Sequence, residues 1–292
     1  MSTPSLVAGV TLAVWVARAP VTLQTMQQQP PSPRTAASPD PEMPRPIEAL
    51  DSVFLEELTW LEVRDAIRAG KTTVIVPTGG IEMSGPYLAI GKHNYVTRAT
   101  CSAIARKLGN ALCAPNVAFV PEGNIDPPSA HMRYPGTISV SDATLRSLLI
   151  DIAASLKAHG FEHIVLIGDS GGNQPVMRTV ARELSAKWAA GKTNIHYIAE
   201  YYDYPGAAAF ADRTLGWKQV DEGHHDDPVI SSIMMTVDPS TVRIQQRIAR
   251  RKASINGIPL APIDHAIAAG KRIVDYRADV TVAAIRKVVG AQ

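Results

Sequence analysis

The sequence contains few cysteines and few aromatic residues, and its charges nearly cancel. Two cysteines in 292 residues exclude a disulfide framework and a cysteine-rich zinc site. Four Phe, four Trp and eight Tyr are too few and too scattered to form a base-stacking surface. A formal charge of +2 gives no attraction to nucleic acid or to an anionic membrane, so neither is an expected partner. Cys101 and Cys113 are expected to be buried thiols on neighbouring elements, with a single bridge between them as the alternative.

The apolar stretch near the N-terminus is too short to span a bilayer comfortably. It covers residues 6–17 and ends in a small-x-small sequence at residues 17–19, which resembles a cleavage signal. We therefore predict a signal peptide over residues 1–19 and a periplasmic or secreted mature protein. No Lys or Arg precedes the stretch, and Pro20 follows the cleavage signal. The alternative is a disordered extension of a cytoplasmic protein.

Proline dominates the next segment. Seven prolines stand between residues 30 and 46, mixed with Ser, Ala and Thr. Such a segment buries too little apolar surface to fold, so residues 20–50 are predicted to be an extended, disordered tether. Folding is expected to begin near Phe54, which places a single domain at residues 51–292.

Beyond residue 50, aliphatic strands alternate with amphipathic helices. A hydrophobic fraction of 46% against 19% charged residues is ordinary for a globular protein with a sizeable core. The alternation is typical of βαβ units with right-handed crossovers, so we predict an α/β fold, a three-layer α/β/α sandwich with a mostly parallel sheet. The predicted strands are 72–76, 111–120 (interrupted by Pro115), 164–168 and 195–199, and the predicted helices are 58–67, 94–108, 141–160, 174–188, 228–236 and 261–289.

Three polar loops stand out in this pattern. Because the carboxyl ends of parallel strands lie at the same edge of a sheet, we expect loops that follow strands to meet there. Carboxylates and imidazoles that converge from separate loops are ligands that Zn²⁺ and Mn²⁺ accept, and a bound ion lowers the pKa of water towards about 7. The first loop carries Glu82 and His93, the second Asp169 and Ser170, and the third His224, His225, Asp226 and Asp227.

Each of these residues also has an ordinary structural interpretation. Glu82 lies in a Gly-Pro loop and could be a solvated carboxylate. His93 could be a polar residue at a helix start, and Asp169 could cap the following helix. The four consecutive titratable residues of the third loop could form a solvated turn.

A serine nucleophile competes for the same residues. Residues 168–172 read GDSGG, which fits G-x-S-x-G between a strand and a helix, the context of the nucleophile elbow. Ser170 would attack and His225 would be its base, with Asp203 or Asp221 as the acid. The GDSGG of trypsin-like proteases is excluded, because no matching histidine loop lies upstream and the pattern is not all-β.

Four blocks of sequence together resemble one family. Residues 76–88 read VPTGGIEMSGPYL and resemble P-x-G-x-x-E-x-H-G-P-H-L, the opening of the creatininase (creatinine amidohydrolase) family. His131 with YPGTIS at residues 134–139 resembles the family's H-x-x-(F/Y)-P-G-T-(I/L)-S block. IGDSGGN at residues 167–173 resembles N-G-H-G-G-N, and His225 falls where the family has H-A-G. The blocks occur in the family's order.

The resemblance implies a three-layer α/β/α fold, usually hexameric, with a Zn²⁺ or Mn²⁺ site that hydrolyses C–N bonds of cyclic amides, formamides and related substrates. Glu82 matches the family's first ligand position. His93 stands where the family has an Asp, and Ser84 and Ser170 stand where it has histidines. Asp169 adds a carboxylate directly before Ser170. The loss of two imidazoles argues for one ion, or for a weaker second one.

The resulting hypothesis is a metal-dependent amidohydrolase that acts on a small-molecule substrate and forms a homo-oligomer, a hexamer by the family resemblance. One or two ions of Zn²⁺ or Mn²⁺ are its expected cofactor. The alternatives are a serine hydrolase and a non-catalytic small-molecule binding protein on the same scaffold. The predicted metal ligands are Glu82, His93 and Asp169, the catalytic residues are His225 as proton carrier and Ser170 in the serine alternative, and the substrate contacts are Tyr87, His131 and Asn173.

Overall fold

A computed structural model describes residues 39–218, 220 and 225–290 of the chain. The chain divides into a short N-terminal unit, Met1–Pro44, and a compact unit, Arg45–Gln292, which contains all the helices and strands given below. The predicted signal peptide at residues 1–19 lies outside the described residues. Of the predicted tether, the described residues 39–50 form no helix or strand. No described helix combines the length and the apolar character needed to cross a membrane.

The compact unit alternates helices and strands along most of its length. Short 3-10 turns connect several of them, and a two-stranded antiparallel hairpin, β5 and β6, precedes the last helix. The helices are α1 (Trp60–Arg68), α2 (Lys92–Leu108), α3 (Asp142–Ala158), α4 (Asn173–Trp188), α5 (Tyr204–Leu215), α6 (Pro228–Val237), α7 (Ile244–Ala249) and α8 (Ile263–Val289). The strands are β1 (Thr73–Thr78), β2 (Ala111–Cys113), β3 (His163–Gly168), β4 (Asn194–Tyr197), β5 (Ser254–Ile255) and β6 (Ile258–Pro259).

The main sheet has four parallel strands in the order β2-β1-β3-β4. β1 and β3 lie at its centre and pair over their full length, so that Thr78 and Gly168 stand side by side at their carboxyl ends. The pairing continues one step further, because the backbone N–H of Asp169 donates to the carbonyl of Thr78 at 3.0 Å. The loops that follow these two strands therefore leave the sheet from the same point.

Helices cover both faces of the sheet. Val74 and Val76 of β1 pack with α3 and α4 on one face, and Ile75 packs with α2 and α8 on the other. The strands are buried on both faces, which is why they read as continuous aliphatic runs. A third core forms where α6 packs against α2 and α8. The predicted α/β/α sandwich with a mostly parallel sheet is confirmed.

Local signals explain where several elements begin and end. Thr59 and Glu62 form a complete capping box at the start of α1. The predicted strand at 111–120 is too long, because Pro115 has no N–H for the ladder and regular pairing stops at Cys113. Helix α5 has no counterpart among the predicted elements. Its Pro-Gly start resembles a turn, yet the Asp203 carboxylate caps it by accepting from the N–H of Gly206 at 2.8 Å.

The two cysteines are joined. Cys101 on α2 and Cys113 at the end of β2 form a disulfide whose Cα atoms lie 6.2 Å apart. The expectation of two free thiols is therefore wrong, and the alternative of a single bridge holds. Both residues are almost completely buried, at 0% and 1% exposure. The bond ties a helix on one face of the sheet to an edge strand.

Replacing both cysteines by alanine is expected to lower the free energy of unfolding by about 3 kcal/mol, because the bond closes a short loop in the unfolded chain. Urea denaturation of Cys101→Ala/Cys113→Ala against wild type measures the loss. A strong reductant included during unfolding should bring wild type down towards the variant. Two free thiols in the unreduced protein by mass spectrometry would contradict the assignment.

A second stability prediction concerns two histidines on adjacent strands. His163 Nδ1 on β3 lies 3.4 Å from His196 Nε2 on β4. Burial, together with the neighbouring His163, lowers the pKa of His196 to about 4. As the pH falls, His196 is therefore protonated in the unfolded chain before it is protonated in the folded protein. The stability that comes from the neutral ring of His196 is complete above about pH 6.5 and is lost as the pH falls towards 4.

The melting temperature should accordingly fall less between pH 7 and pH 4.5 in His196→Gln than in wild type. Differential scanning calorimetry across this range measures the difference. His265→Gln, at an exposed position on α8, is the matched control and should follow wild type. Parallel curves for wild type and His196→Gln would show that the pair does not titrate in this way.

Candidate active site

A cavity of about 680 Å³ lies at the edge of the sheet where β1 and β3 end. Its floor is polar, and its wall on the side of α5 and α6 is largely apolar. The loops after β1 and β3 and the segment before α6 all reach it. The polar lining includes Glu82, Lys92, His93, Glu122, His131, Ser170 and His225, and the wall includes Tyr202, Tyr204, Pro205, Ala208, Val229 and Ile230.

Glu82 lies at the centre of the polar floor and is 3% exposed. The backbone N–H of Glu82 donates to the carbonyl of Ile90 at 3.0 Å, and this hydrogen bond fixes the loop that carries Glu82. Oε1 lies 2.7 Å from Lys92 Nζ and 2.9 Å from His93 Nε2, and Oε2 lies 3.4 Å from His131 Nε2. Burial opposes ionisation, but the hydrogen bond and charge of His93 and the charge of Lys92 hold the pKa of Glu82 far below its usual value.

His93 bridges two carboxylates. Its Nδ1 lies 2.8 Å from Asp169 Oδ2, while its Nε2 faces Glu82. These hydrogen bonds raise the pKa of His93 in spite of its complete burial. Asp169 also accepts from Arg277 Nη2 at 2.8 Å and from the hydroxyl of Tyr204 at 2.9 Å. The charges of Arg277 and His93 outweigh burial and lower the pKa of the Asp169 carboxyl.

The predicted ligands Glu82, His93 and Asp169 are thus brought together, but as a hydrogen-bonded chain. Both ring nitrogens of His93 face carboxylates, so neither presents a lone pair to an ion. The oxygens of Asp169 face His93, Arg277 and Tyr204. Ligation by His93 and Asp169 stays a prediction, and this arrangement favours a positioning role for both.

A different group of three has the geometry of a metal site. One ligand atom from each of Glu82, His131 and His225 lies within 4.8 Å of the others. The two imidazole rings meet edge to face with centroids 4.9 Å apart, and His225 Nδ1 lies 4.0 Å from Glu82 Oε1. Burial and the nearby charge of Lys92 lower the pKa of His225, which keeps its ring neutral and its lone pair available. The sequence-based prediction instead makes His131 a substrate contact and His225 a proton carrier.

Glu122 is a residue of the cavity lining that is not among the predicted site residues. It is 4% exposed, is hydrogen-bonded to Glu82, and accepts from Ser170 Oγ at 3.5 Å. Burial and the neighbouring Glu82 raise the pKa of Glu122 to about 9, so this carboxyl holds a proton at neutral pH. Its Oε1 has no hydrogen-bond partner among the described residues. The one available signal was its position in the long loop 121–136, a length typical of functional loops.

The remaining predicted residues have other surroundings. The Ser170 hydroxyl donates to Glu122, and no histidine is among its hydrogen-bond partners in the described part of the chain. The Asn173 amide donates to the Gly79 carbonyl at 2.9 Å and to Thr78 Oγ1 at 2.9 Å, which holds the loop after β1 in place. The ring of Tyr87 lies against the guanidinium of Arg247, 4.7 Å away, and is not part of the cavity lining.

Arg247 also fixes the segment that carries His225. This arginine is 2% exposed, and its Nη2 donates to both carboxylate oxygens of Asp226, at 2.8 and 3.0 Å. The next residue, Asp227, caps α6 by accepting from the N–H of Ile230 at 2.7 Å. His225 is therefore followed by two anchored residues, which limits where its ring can lie. The His-His-Asp-Asp pattern combines a site residue with two structural ones, while His224 lies outside the described residues.

Comparison with known proteins agrees with the resemblance seen in the sequence. The Creatininase family model, described as creatinine amidohydrolase, matches residues 56–275. The chain is 24% identical over 222 residues to creatinine amidohydrolase from Pseudomonas putida. The matched segment covers 74% of this chain and 83% of that protein. It is 30% identical over 105 residues to mycofactocin precursor peptide peptidase from Mycolicibacterium smegmatis, covering 34% of this chain and 40% of that protein.

Solved structures agree on the fold. A manganese form of creatininase has a TM-score of 0.59 at 22% identity and covers 81% of this chain and 98% of its own. A mutant creatininase described as a zinc–zinc type has a TM-score of 0.59 at 21% identity, with coverages of 82% and 99%. The similarity spans the whole sandwich that carries the site.

Proposed function

Because the chain belongs to the creatininase family and is thereby a metal-dependent amidohydrolase, we propose that it hydrolyses a non-peptide C–N bond in a small molecule, such as a cyclic amide or a formamide. In this proposal Glu82, His131 and His225 hold a divalent ion, Zn²⁺ or Mn²⁺. The observation that carries it is the approach of these three ligand atoms to within 4.8 Å of one another on the floor of the cavity. The P. putida relative is named for the hydrolysis of such a bond.

The residues present fit such an ion. One carboxylate and two imidazoles form a donor set that both Zn²⁺ and Mn²⁺ accept. His131 Nδ1 is buried without a hydrogen-bond partner among the described residues, so the ring is not committed to another structural contact through that atom. When bound, the ion would polarise a substrate carbonyl and lower the pKa of a water molecule.

Glu122 is the proposed proton donor. Its carboxyl carries a proton at neutral pH and faces the cavity beside Glu82. A neutral carboxylic acid in this position can donate to the departing nitrogen and then share the charge of its conjugate base with nearby Lys92. Over one turnover the hydroxyl of one water would add to the carbonyl carbon as the C–N bond breaks, the Glu122 proton would go to the nitrogen, and the proton of that water would restore the Glu122 carboxyl.

A buried series of hydrogen-bonded side chains behind the site orients Glu82. His93 holds one carboxylate oxygen, and Asp169 holds His93 in turn. Arg277 from α8 anchors Asp169 at 2.8 Å. Each member is hydrogen-bonded and buried, so the carboxylate of Glu82 is held in one direction and its Oε2 faces His131.

The cavity suits a small organic substrate. Its volume of about 680 Å³ lies in the usual range for such pockets. Tyr202 and Tyr204 stand in its wall, and burial raises the pKa of both hydroxyls, so both remain neutral donors. An apolar wall opposite a polar floor favours a substrate with a compact apolar side and an amide group.

The two alternatives have less support. A nucleophilic Ser170 would need a base, but its hydroxyl donates to a carboxyl that is itself protonated. A non-catalytic binding protein would not need a protonated acid beside a three-ligand cluster. Turnover on a panel of cyclic amides and formamides separates the binding protein from the enzyme.

We also propose that the protein is exported. The Cys101–Cys113 disulfide supports this, because such bonds persist in the periplasm and outside the cell and are rare in a reducing cytosol. Assembly as a homo-oligomer remains a proposal that rests on family membership.

Glu82→Gln is expected to weaken binding of the ion by at least about 100-fold and to reduce turnover in parallel, because the amide keeps the shape but loses the charge. Metal content by plasma mass spectrometry and turnover on the amide panel measure both effects. Glu200→Gln, at an exposed position, is the matched control and should behave as wild type. A metal-free wild-type protein that turns over substrate, or cleavage of peptides alone, would contradict the proposal.

The variants Glu122→Gln and Ser170→Ala distinguish a mechanism with Glu122 as general acid from one with Ser170 as nucleophile. The first should lower kcat by about 10² or more with little change in KM, because a general acid is lost. The second should lower kcat by no more than about tenfold, because only a hydrogen bond to Glu122 is lost. The reverse order of effects, together with labelling of Ser170 by a covalent serine probe, would instead establish the serine mechanism.

A further inference from the structure

The ammonium group of Lys92 lies inside the candidate site. Its side chain is 4% exposed, and Nζ lies 2.7 Å from Glu82 Oε1. Lys92 is the first residue of α2, where the helix dipole disfavours a positive charge. A buried lysine at the N-terminus of a helix is unfavourable unless a nearby group compensates its charge. Its contact with a proposed metal ligand provides this compensation.

The two oxygens of Glu82 have different surroundings. Oε1 accepts from Lys92 and lies 2.9 Å from His93 Nε2, while Oε2 faces His131. The second ring nitrogen of His93 is taken by Asp169. Within the described residues, the nitrogen atoms that can bind an ion next to Glu82 are therefore those of His131 and His225. Oε1 is already in contact with Lys92 and His93, and His225 Nδ1 lies 4.0 Å from the same oxygen.

The buried cluster carries no excess of negative charge before any ion binds, and His93, with both ring nitrogens facing carboxylates, adds to its positive side. Glu82 pairs with Lys92, and Asp169 pairs with Arg277. One divalent ion adds two positive charges, which the cavity-lining carboxyls of Glu122 and Asp227 could offset in part, while Asp226 is already paired with Arg247. A second divalent ion would add two more positive charges close to Lys92 and Arg277. Uncompensated charge in a buried site is strongly unfavourable.

We propose that the ammonium of Lys92 takes the place of a second metal ion, so that each chain binds a single divalent ion at Glu82, His131 and His225. This inference rests on the proposed function. It separates this chain from the solved relative described as a zinc–zinc type. The lysine supplies a fixed positive charge beside the ligand carboxylate, and it thereby also limits the affinity of the one ion.

Zinc binding to the full-length protein tests the proposal. The protein is stripped with a chelator, titrated with Zn²⁺ by isothermal calorimetry, and analysed for metal after gel filtration. Wild type should bind one equivalent. Lys92→Met should bind Zn²⁺ at least about tenfold more tightly, because repulsion is removed and Glu82 is freed. Lys92→Arg keeps the charge and should stay near the wild-type affinity.

Lys107→Met is the matched control, because Lys107 lies on the same helix but pairs with Asp275 and Asp279 on α8. It should leave zinc affinity unchanged. Two tight equivalents in wild type would overturn the single-ion inference and leave the proposed hydrolase intact. An unchanged dissociation constant in folded Lys92→Met would overturn it as well, and if that variant does not fold, the wild-type stoichiometry decides. No bound zinc in any variant would instead refute the proposed function.

Discussion

The structure depends on one buried line of charges that runs from Arg277 through Asp169 and His93 to Glu82. Each contact is 2.8 or 2.9 Å long, and every side chain in it is at most 7% exposed. Buried charges are tolerated only when each one is paired, so removal of any member would leave its neighbour with an uncompensated charge. The line joins α8, the end of β3, the start of α2 and the loop after β1. The helical layer of α2 and α8, the sheet and the floor of the cavity are thereby fixed together.

Much of the fold could be predicted because its signals are local. The capping box of Thr59 and Glu62 marks the start of α1, and the aliphatic run of β3 marks a buried strand. Other local signals are ambiguous. The Pro-Gly start of α5 resembles a turn until the cap by Asp203 is known. The disulfide depends on where a helix and an edge strand cross, which spacing along the chain does not specify.

The sequence predicts which loops form the candidate site, but it does not predict the contacts that their side chains make. Strand ends placed Glu82 and Asp169 near one another, because β1 and β3 are adjacent and in register. Whether a histidine between them binds an ion or two carboxylates depends on the direction of its ring. It also depends on Arg277, which stands 108 residues from Asp169 in the sequence. Beyond its position in the long loop 121–136, Glu122 gave no signal, because its protonation follows from burial beside another carboxylate.

The substituted positions show how such a site can change while the scaffold stays. Ser84 and Ser170 stand where the resemblance places histidines, and both are buried. In the proposed site the imidazoles come from His131 and His225, on two other segments that reach the same cavity. Because the sheet edge gathers several loops at one point, a ligand lost from one loop can be supplied by another without a change in the strands. What cannot move is the carboxylate of Glu82, since the buried line of charges ends on it. The position of that carboxylate therefore determines where an ion can bind, and the surrounding loops determine how many ligands it finds.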